Sequence, residues 1–391
     1  MLNSTPRSER ITIGFFGRRN AGKSSLLNAV TGQEIAVVSD VLGTTTDPVL
    51  KSMELLPLGP VTVIDTPGFD DEGTLGEKRI EKTKEILDKT DIAVLVCDST
   101  IGIGEVEKNL INLFKEREIP HITAYNKAEL LAERKALKED EIYVSANTKE
   151  NINELKDKIG ALAPEAKKLH LVSDFIEKGD TVVLVCPIDA SAPKGRIILP
   201  QQQAIRDILD KNAMAVVVQP EELSACLDNL KTPPALVICD SQVFKKVDEI
   251  VPEEIPLTSF SILFARYKGL LGAALEGAKS LDELADGDRV LISEGCSHHR
   301  QCGDIGTEKL PKWILGYTKK EINFEFSSGG TFPEDLEKYA LIIHCGGCML
   351  GDREILSRQK KAGAKKVPIT NYGLVIAKMN GILDRSTKII T

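Results

Sequence analysis

The chain has 391 residues, 42% of them hydrophobic and 28% charged, which is typical of soluble globular proteins and allows two or three domains. The formal net charge of −8 disfavours a general binder of nucleic acid or anionic membranes, because both depend on a positive field. The eight cysteines are too sparse for a disulfide scaffold and no apolar run reaches the ~20 residues of a membrane span, so we expect a cytoplasmic protein with reduced thiols.

β-Branched runs alternate with charged amphipathic stretches between Ile11 and Leu162. This alternation predicts a βα-wound parallel sheet. The predicted strands are residues 11–16, 61–65, 92–97, 121–125 and 141–145. A polar segment at 163–170 follows and predicts a linker.

The same alternation then resumes twice. Strands are predicted at 181–186, 213–219 and 234–240, and a break at 251–256 follows them. A third alternation after the break contains most of the candidate metal ligands described below. We therefore predict an α/β protein with a larger first domain at 1–165 and two smaller α/β domains at 166–255 and 256–391.

A phosphate-binding motif lies between the first predicted strand and a helix. Gly17-Arg-Arg-Asn-Ala-Gly22-Lys23-Ser24 fits the P-loop pattern G-x-x-x-x-G-K-[ST] in the right structural context. Backbone N–H groups would surround the phosphates, Lys23 would neutralise their β and γ oxygens, and the Ser24 hydroxyl would bind Mg²⁺. We expect nucleotide contacts from Gly17, Asn20, Ala21, Gly22, Lys23, Ser24 and Ser25.

Two further segments complete the predicted catalytic set. Asp65-Thr-Pro-Gly68 begins at the end of a strand, and we expect Asp65 to hold the metal through water and Gly68 to sense the γ-phosphate. Thr44 and Thr45 are predicted to lie in a loop with the spacing to close over Mg²⁺. The expected catalytic residues are Lys23, Thr45, Asp65 and Gly68, and the expected magnesium ligands are Ser24, Thr45 and Asp65.

Base recognition is predicted after the last two strands of this domain. Asn126-Lys127 and Ser145-Ala146 have the positions of guanine-reading motifs. The first of these motifs normally ends in Asp, whereas Glu129 stands at that position here. A glutamate can still accept hydrogen bonds from guanine N1–H and N2–H₂, but its extra methylene changes the reach.

With these motifs in order, residues 1–162 resemble GTPases of the TrmE/Era kind. The resemblance implies binding and hydrolysis of GTP with Mg²⁺. In TrmE-like enzymes the residue at the place of Asn20 helps to hold a potassium ion where an arginine finger would act. Phe69 stands where Ras-like enzymes carry a water-orienting glutamine. We therefore expect slow turnover that K⁺ stimulates.

A second constellation follows two strands of the last alternation. It consists of Cys296-x-His298 and, after a long gap, His344-Cys345-x-x-Cys348. Because ligands bind where the C-terminal ends of parallel strands converge, one shared site is favoured. Three thiolates suit an iron–sulfur cluster with one replaceable ligand, although three cysteines and a histidine are also a standard zinc set.

Combined with the GTPase motifs, this constellation resembles the HydF family, the GTPase scaffold of [FeFe]-hydrogenase maturation. The resemblance implies a [4Fe–4S] cluster held by Cys296, Cys345 and Cys348 in the last domain, a transient diiron precursor, and a homodimer formed by the middle domain. It also implies apo-[FeFe]-hydrogenase and the radical-SAM maturases of the same pathway as partners, with no nucleic acid and no membrane.

More than one interpretation is possible for the fourth cluster ligand and for the overall function. The candidates for the ligand are His298, His344 and Asp189, and Cys302 is interpreted as structural because its spacing pairs with nothing. The alternative function is an RNA-acting GTPase of the TrmE/Era type with a zinc-stapled C-terminal module. The colour of anaerobically purified protein separates the two, because iron–sulfur protein is brown and zinc protein is colourless.

Overall fold

The computed structural model describes residues 5–32, 49–66, 82–164, 169–188, 197–295 and 304–390. Two units divide the chain, at residues 1–166 and 167–391. Within the described ranges, no helix combines the length and the apolar character that crossing a bilayer requires.

The first unit is built on one six-stranded sheet in the order β2-β3-β1-β4-β5-β6. All neighbouring pairs are parallel except β2 with β3. The predicted βα-wound parallel sheet is therefore confirmed. Its elements are β1 (Ile11–Phe16), α1 (Lys23–Thr31), β2 (Val49–Leu55), β3 (Gly59–Asp65), β4 (Ile92–Asp98), α2 (Glu105–Glu116), β5 (His121–Asn126), β6 (Glu141–Tyr143) and α3 (Ile152–Ala161).

Burial explains why these segments became strands. β4 is buried over six consecutive residues, as expected for a central parallel strand with both faces covered. β2 was not predicted, since its polar and apolar residues do not alternate regularly and it joins the sheet only by antiparallel pairing with β3.

The second unit contains two four-stranded sheets, one after the other in the chain. The elements of the first are β7 (Thr181–Val185), α4 (Leu199–Asp210), β8 (Met214–Val218), α5 (Leu223–Asn229), β9 (Leu236–Cys239), α6 (Phe244–Ile250), β10 (Leu257–Ser259), α7 (Phe260–Tyr267) and α8 (Leu271–Lys279). The elements of the second are β11 (Arg289–Glu294), α9 (Leu310–Thr318), β12 (Asn323–Ser328), β13 (Leu341–His344), α10 (Asp352–Ala364), β14 (Ile369–Asn371), α11 (Tyr372–Met379) and α12 (Leu383–Thr387).

The two sheets have the same topology. Their orders are β8-β7-β9-β10 and β12-β11-β13-β14, and every neighbouring pair is parallel. Their registers also coincide: Val182 pairs with Leu236 as Val290 pairs with Leu341. The strands of each sheet therefore correspond one to one.

The two sheets also share local hydrogen bonds and a short sequence segment. The amide of Ala235 donates to the Thr181 carbonyl at 2.9 Å, and the amide of Ala340 donates to the Arg289 carbonyl at 2.9 Å. Residues 256–260 read Pro-Leu-Thr-Ser-Phe and residues 368–372 read Pro-Ile-Thr-Asn-Tyr. In both, the fourth residue caps the helix that follows. The second unit thus contains one fold twice, copy A (179–279) and copy B (287–387).

The predicted boundary at residue 255 falls inside copy A. β10 pairs with β9 in the first sheet, so this sheet extends a few residues past the boundary. One hydrophobic cluster also includes residues of both sheets, among them Val183, Val237, Leu291 and Ile342. The division into domains at 166–255 and 256–391 stays a prediction.

Candidate functional site

The phosphate-binding loop runs from the end of β1 to the start of α1. Gly17 has φ +145°, and a Cβ atom there would collide with the carbonyl oxygen of Val96 on β4. Gly22 has φ +86° and precedes the first residue of α1, and a Cβ there would collide with the Asn126 amide. Both glycines of the motif are therefore required by the close packing of this loop.

Lys23 bends back over its own loop. The Nζ atom donates to the Gly17 carbonyl at 3.0 Å and to the Arg18 carbonyl at 2.7 Å, and the residue is only 7% exposed. Its ammonium group is thereby held at the mouth of the loop, next to the N-terminus of α1. This arrangement can neutralise an anion that binds to the loop.

The side chains of Ser24 and Asp65 form a direct contact. The Ser24 hydroxyl donates to Oδ2 of Asp65 at 2.6 Å. The other carboxylate oxygen, Oδ1, is buried and has no hydrogen-bond partner among the described residues. Burial raises the pKa of Asp65, against the lowering effects of the Ser24 hydrogen bond and of Lys23. A buried carboxylate oxygen without a partner fits Mg²⁺, which prefers oxygen ligands.

Asn126 joins three of the predicted nucleotide motifs. It lies at the end of β5 and is 2% exposed. Its Nδ2 donates to the Ala21 carbonyl at 3.1 Å, and its Oδ1 accepts from the Ala146 amide at 3.0 Å. The side chain of Ser145 accepts from the Thr148 amide at 2.9 Å. The structure therefore brings the phosphate loop and both segments predicted to read guanine together.

Lys127 has a partner that the sequence motif does not predict. Its Nζ contacts Asp98 Oδ2 at the end of β4, at 2.6 Å. Burial acts to raise the pKa of Asp98, but hydrogen bonds from Lys127 and Thr100 hold this pKa below its usual value. The pairing of β4 with β5 placed Asp98 beside Asn126, which only the sheet register could have revealed. Glu129 is exposed in the following turn.

Several predicted site residues lie outside the described ranges. They are Thr44, Thr45, Gly68, Phe69, Asp189, Cys296, His298 and Cys302. Among the described residues, no group of three or more His, Cys, Asp or Glu side chains is close enough to hold a metal ion.

The two strand ends that lead to the predicted metal ligands are neighbours. β11 and β13 are adjacent and parallel, and Ser293 is the register partner of His344. The β11 end lies two residues before Cys296, and His344 directly precedes Cys345. The amide of Cys345 donates to the Ser293 carbonyl at 2.9 Å.

The Cys345 side chain lies in a pocket of backbone donors. Its Sγ accepts from the Gly295 amide at 3.0 Å and from the Gly347 amide at 3.4 Å. Burial raises the pKa of Cys345, whereas these two amides lower it. Amide donors to sulfur are a feature of iron–sulfur sites, where they stabilise the thiolate ligand. The described donor set therefore fits a thiolate-bound cluster.

Lys268 fixes the far end of the cysteine loop. It follows α7 and is 4% exposed. Its Nζ donates to the Leu350 carbonyl at 3.0 Å and pairs with Asp352 at 2.8 Å. A residue of copy A thus anchors the loop of copy B that contains Cys345 and Cys348.

Both ring nitrogens of His344 are engaged. Nδ1 lies 2.8 Å from the Cys345 carbonyl oxygen, and Nε2 lies 3.0 Å from Nη1 of Arg358. A carbonyl oxygen only accepts and a guanidinium only donates, so Nδ1 carries the proton and the ring is neutral. Burial, together with the charge of Arg358, lowers the pKa of His344 to about 3.

The fold and these geometries define a P-loop GTPase domain followed by further α/β domains. Family models agree: residues 12–127 match the model described as 50S ribosome-binding GTPase. Residues 171–269 match the hydrogen maturase F dimerization domain, and residues 272–389 match the hydrogen maturase F tetramerization domain. The last two together cover more than half of the chain, which therefore belongs to the hydrogen maturase F (HydF) family.

Two curated relatives each match less than two fifths of this chain. A tRNA modification GTPase MnmE of Nitrosomonas europaea is 35% identical over 153 residues, which are 38% of this chain and 34% of that protein. A GTPase Der of Kosmotoga olearia is 33% identical over 141 residues, 34% of this chain and 32% of that protein. The chain thus spans only about a third of the length of these relatives.

Solved structures resemble this chain only weakly. Era in complex with MgGDPNP and nucleotides of 16S ribosomal RNA has a TM-score of 0.37 at 19% identity, covering 53% of this chain and 93% of that one. An Aquifex aeolicus Era bound to GDP·AlF4⁻ also has a TM-score of 0.37, at 16% identity, covering 81% and 92%. Scores this low add nothing to the family assignment.

Proposed function

We propose that this protein is a GTPase and a [4Fe–4S] scaffold or carrier that assembles the diiron precursor of [FeFe]-hydrogenase or delivers it to the apo-enzyme. The observation that carries this proposal is the environment of Cys345. Its sulfur accepts hydrogen bonds from two backbone amides, and it lies next to the end of β11, the strand that leads to Cys296. Membership of the HydF family supports it.

For GTP hydrolysis, the roles follow from the phosphate loop. Lys23 would exchange its bonds to loop carbonyls for bonds to β and γ oxygens. Ser24 and Asp65, with Thr45, would hold Mg²⁺, which neutralises charge on the transferring phosphoryl group. Asn20 would help to hold K⁺, and Asn126 with Glu129 would face the guanine base. We expect turnover to be slow without K⁺ or a partner.

For the cluster, Cys296, Cys345 and Cys348 would each ligate one iron. Thiolate ligands require the loss of a proton, and the two amides on Cys345 would favour the charged sulfur. The fourth iron would take a weaker ligand, with His298 and Asp189 among the candidates. An exchangeable position gives an incoming precursor a place to bind.

Self-association is part of this proposal. β8 is the last strand on its side of the copy A sheet in the described chain, and its Met214 and Val217 side chains are 54% and 44% exposed. An exposed apolar edge strand can pair with a second copy of itself, which supports a homodimer formed by the middle domain. Apo-[FeFe]-hydrogenase and the radical-SAM maturases are the other proposed partners, in the cytoplasm.

The test is activation of apo-[FeFe]-hydrogenase in vitro. Protein purified anaerobically from cells that also produce the two radical-SAM maturases should restore hydrogen evolution to the apo-enzyme. Protein from cells without the maturases is the control and should restore none. Equal activation by both preparations, or by neither, would reject the proposed role.

The alternative function is an RNA-acting GTPase with a zinc-stapled C-terminal module. It is favoured by the likeness of the first domain to MnmE. It predicts colourless protein with bound zinc and GTP turnover that responds to tRNA or ribosomal RNA. The scaffold proposal predicts brown protein and no such response.

A further inference from the structure

Arg358 is a buried arginine in contact with both strands that lead to the predicted cluster ligands. It lies on α10 and is 3% exposed. Its Nη1 donates to the Ser293 hydroxyl on β11 at 3.2 Å and to His344 Nε2 on β13 at 3.0 Å. Its Nη2 donates to the Gly329 carbonyl, just after β12, at 2.7 Å. One guanidinium therefore joins three neighbouring strand ends of copy B.

The charge of Arg358 is balanced locally. Nη2 also contacts Glu354 Oε1 at 2.9 Å, one helical turn earlier on α10. The guanidinium carbon lies 5.2 Å from the centre of the Phe332 ring. Burying such a charge is costly unless its donors are all paired. The described contacts pair all four hydrogens of Nη1 and Nη2, so the network has a defined geometry.

Copy A is an internal control for this network, because it has the same fold without it. The positions that correspond to Ser293 and His344 by strand register are Val185 and Cys239, and both are fully buried apolar residues. The helix that corresponds to α10 is α6, which has 7 residues against 13 and contains no arginine. The fold therefore forms with an apolar strand end in this place.

What distinguishes copy B at this point is the cysteine loop. Asp240 stands in copy A at the register position of Cys345. The polar network and the candidate ligands thus occur together in one copy and are both missing from the described part of the other. A network that the fold does not require, but that contacts the ligand-bearing strand ends, points to a role in the site.

We infer that Arg358 is a positioning residue for the cluster site: it holds the ends of β11 and β13 together and occupies Nε2 of His344. With Nδ1 bound to the Cys345 carbonyl, His344 then anchors the loop backbone and has no nitrogen left for iron. The fourth iron ligand is accordingly another group. This inference rests on the proposed cluster.

The test compares Arg358→Leu with Arg385→Leu in the full-length protein. Arg385 is a matched control, because it also makes several bonds, to Asp248 at 2.7 Å and to the carbonyls of Val251 and Pro252 at 2.8 and 2.6 Å, all of them in copy A. The first measurement is amide hydrogen exchange at Gly295 and Gly347 in the metal-free protein. We expect Arg358→Leu to exchange about tenfold faster at both amides, and Arg385→Leu to match wild type there. Added guanidinium should partly restore protection in Arg358→Leu.

The second measurement is pulsed EPR of the reduced cluster in protein labelled with ¹⁵N-histidine, where we expect no coupling from His344, so that any histidine nitrogen coupling seen in wild type is lost in His298→Ala. If Arg358→Leu does not fold, Ser293→Val, which installs the copy A residue, should still accelerate exchange at Gly295. A histidine coupling that persists in His298→Ala, or unchanged exchange at Gly295 in both Arg358→Leu and Ser293→Val, would overturn the inference. If wild type takes up no iron, the cluster proposal fails, and the exchange data still decide the role of Arg358.

Discussion

Ser293 on β11 and His344 on β13 are register partners, and both accept a hydrogen bond from Nη1 of Arg358. This relationship fixes the two strand ends from which the predicted cluster ligands extend. Copy A keeps the same register with Val185 and Cys239. The α/β fold therefore forms with apolar strand ends in copy A, and the polar contacts of Arg358 are an addition of copy B.

Replacing Asp65 by asparagine should weaken magnesium binding. The substitution keeps the shape of the side chain but removes the charge on the buried Oδ1 atom. We expect Mg²⁺ affinity in the presence of GTP to fall by roughly tenfold or more, measured by magnesium titration of GTP turnover. Asp91→Asn is the control, because Asp91 accepts from the Thr12 amide at 2.8 Å at the other end of β1. Equal magnesium dependence in wild type and Asp65→Asn would contradict the assignment.

Potassium should stimulate GTP hydrolysis if Asn20 helps to hold this ion. We expect faster turnover in KCl than in NaCl at constant ionic strength, and Asn20→Ala should remove the difference while GTP binding is kept. Asn20 has φ +60°, so alanine also introduces backbone strain. Asn212→Ala is a matched control, because Asn212 has the same φ of +60° in the second unit. Equal wild-type rates in both salts would reject the prediction.

Glu129 should determine the choice of base. Its carboxylate is exposed in the turn after β5, and shortening it in Glu129→Asp should tighten GTP binding, since aspartate is the usual residue of this motif. Glu129→Ala should bind GTP more weakly than wild type and should no longer prefer it over xanthosine triphosphate. The control is Glu133→Ala, an exposed acidic residue in the same loop. Unchanged GTP affinity in Glu129→Ala would show that another residue reads the base.

A charge on the edge strand β8 should prevent dimer formation. Val217 is 44% exposed there, and Val217→Lys places an ammonium group on the apolar edge, a device that natural edge strands use against pairing. We expect a halved mass in light-scattering measurements and unchanged GTP turnover per chain. Leu209→Lys changes another exposed apolar residue, 56% exposed, on the neighbouring helix α4 and should keep the wild-type mass. If Val217→Lys also keeps the wild-type mass, the dimer forms through another surface.

Periodicity and motif spacing predicted most of the fold. The five strands expected between Ile11 and Leu162 are β1 and β3 to β6, and the phosphate loop connects β1 with α1. β10 and β14 were missed because a helix begins directly after each three-residue strand, so that the apolar run continues without a strand period. The duplication was also missed. Its best signal is the repeated Pro-[Leu/Ile]-Thr-[Ser/Asn]-[Phe/Tyr] segment. The helices between the corresponding strands differ in length, so the two copies do not align over longer stretches.

The side-chain networks of the site were beyond sequence reasoning. Asp98 contacts Lys127, 29 residues away, only because β4 and β5 are paired in register. Arg358 contacts Ser293, 65 residues away, only because α10 packs on the strand ends of copy B. Neither pair has a characteristic spacing, so no pattern of residues could indicate it.

Cys296, Cys345 and Cys348 are proposed to hold an iron–sulfur cluster, and anaerobic reconstitution followed by EPR of the reduced protein tests this most directly. Wild type should be brown, bind about four irons per chain and show the signal of a reduced [4Fe–4S] cluster. Serine at any of the three positions should reduce iron content and alter or abolish that signal, whereas Cys226→Ser, a half-buried cysteine of copy A, should change neither. Colourless wild-type protein with one bound zinc ion, or a Cys345→Ser variant with the wild-type spectrum, would show that these cysteines do not hold such a cluster.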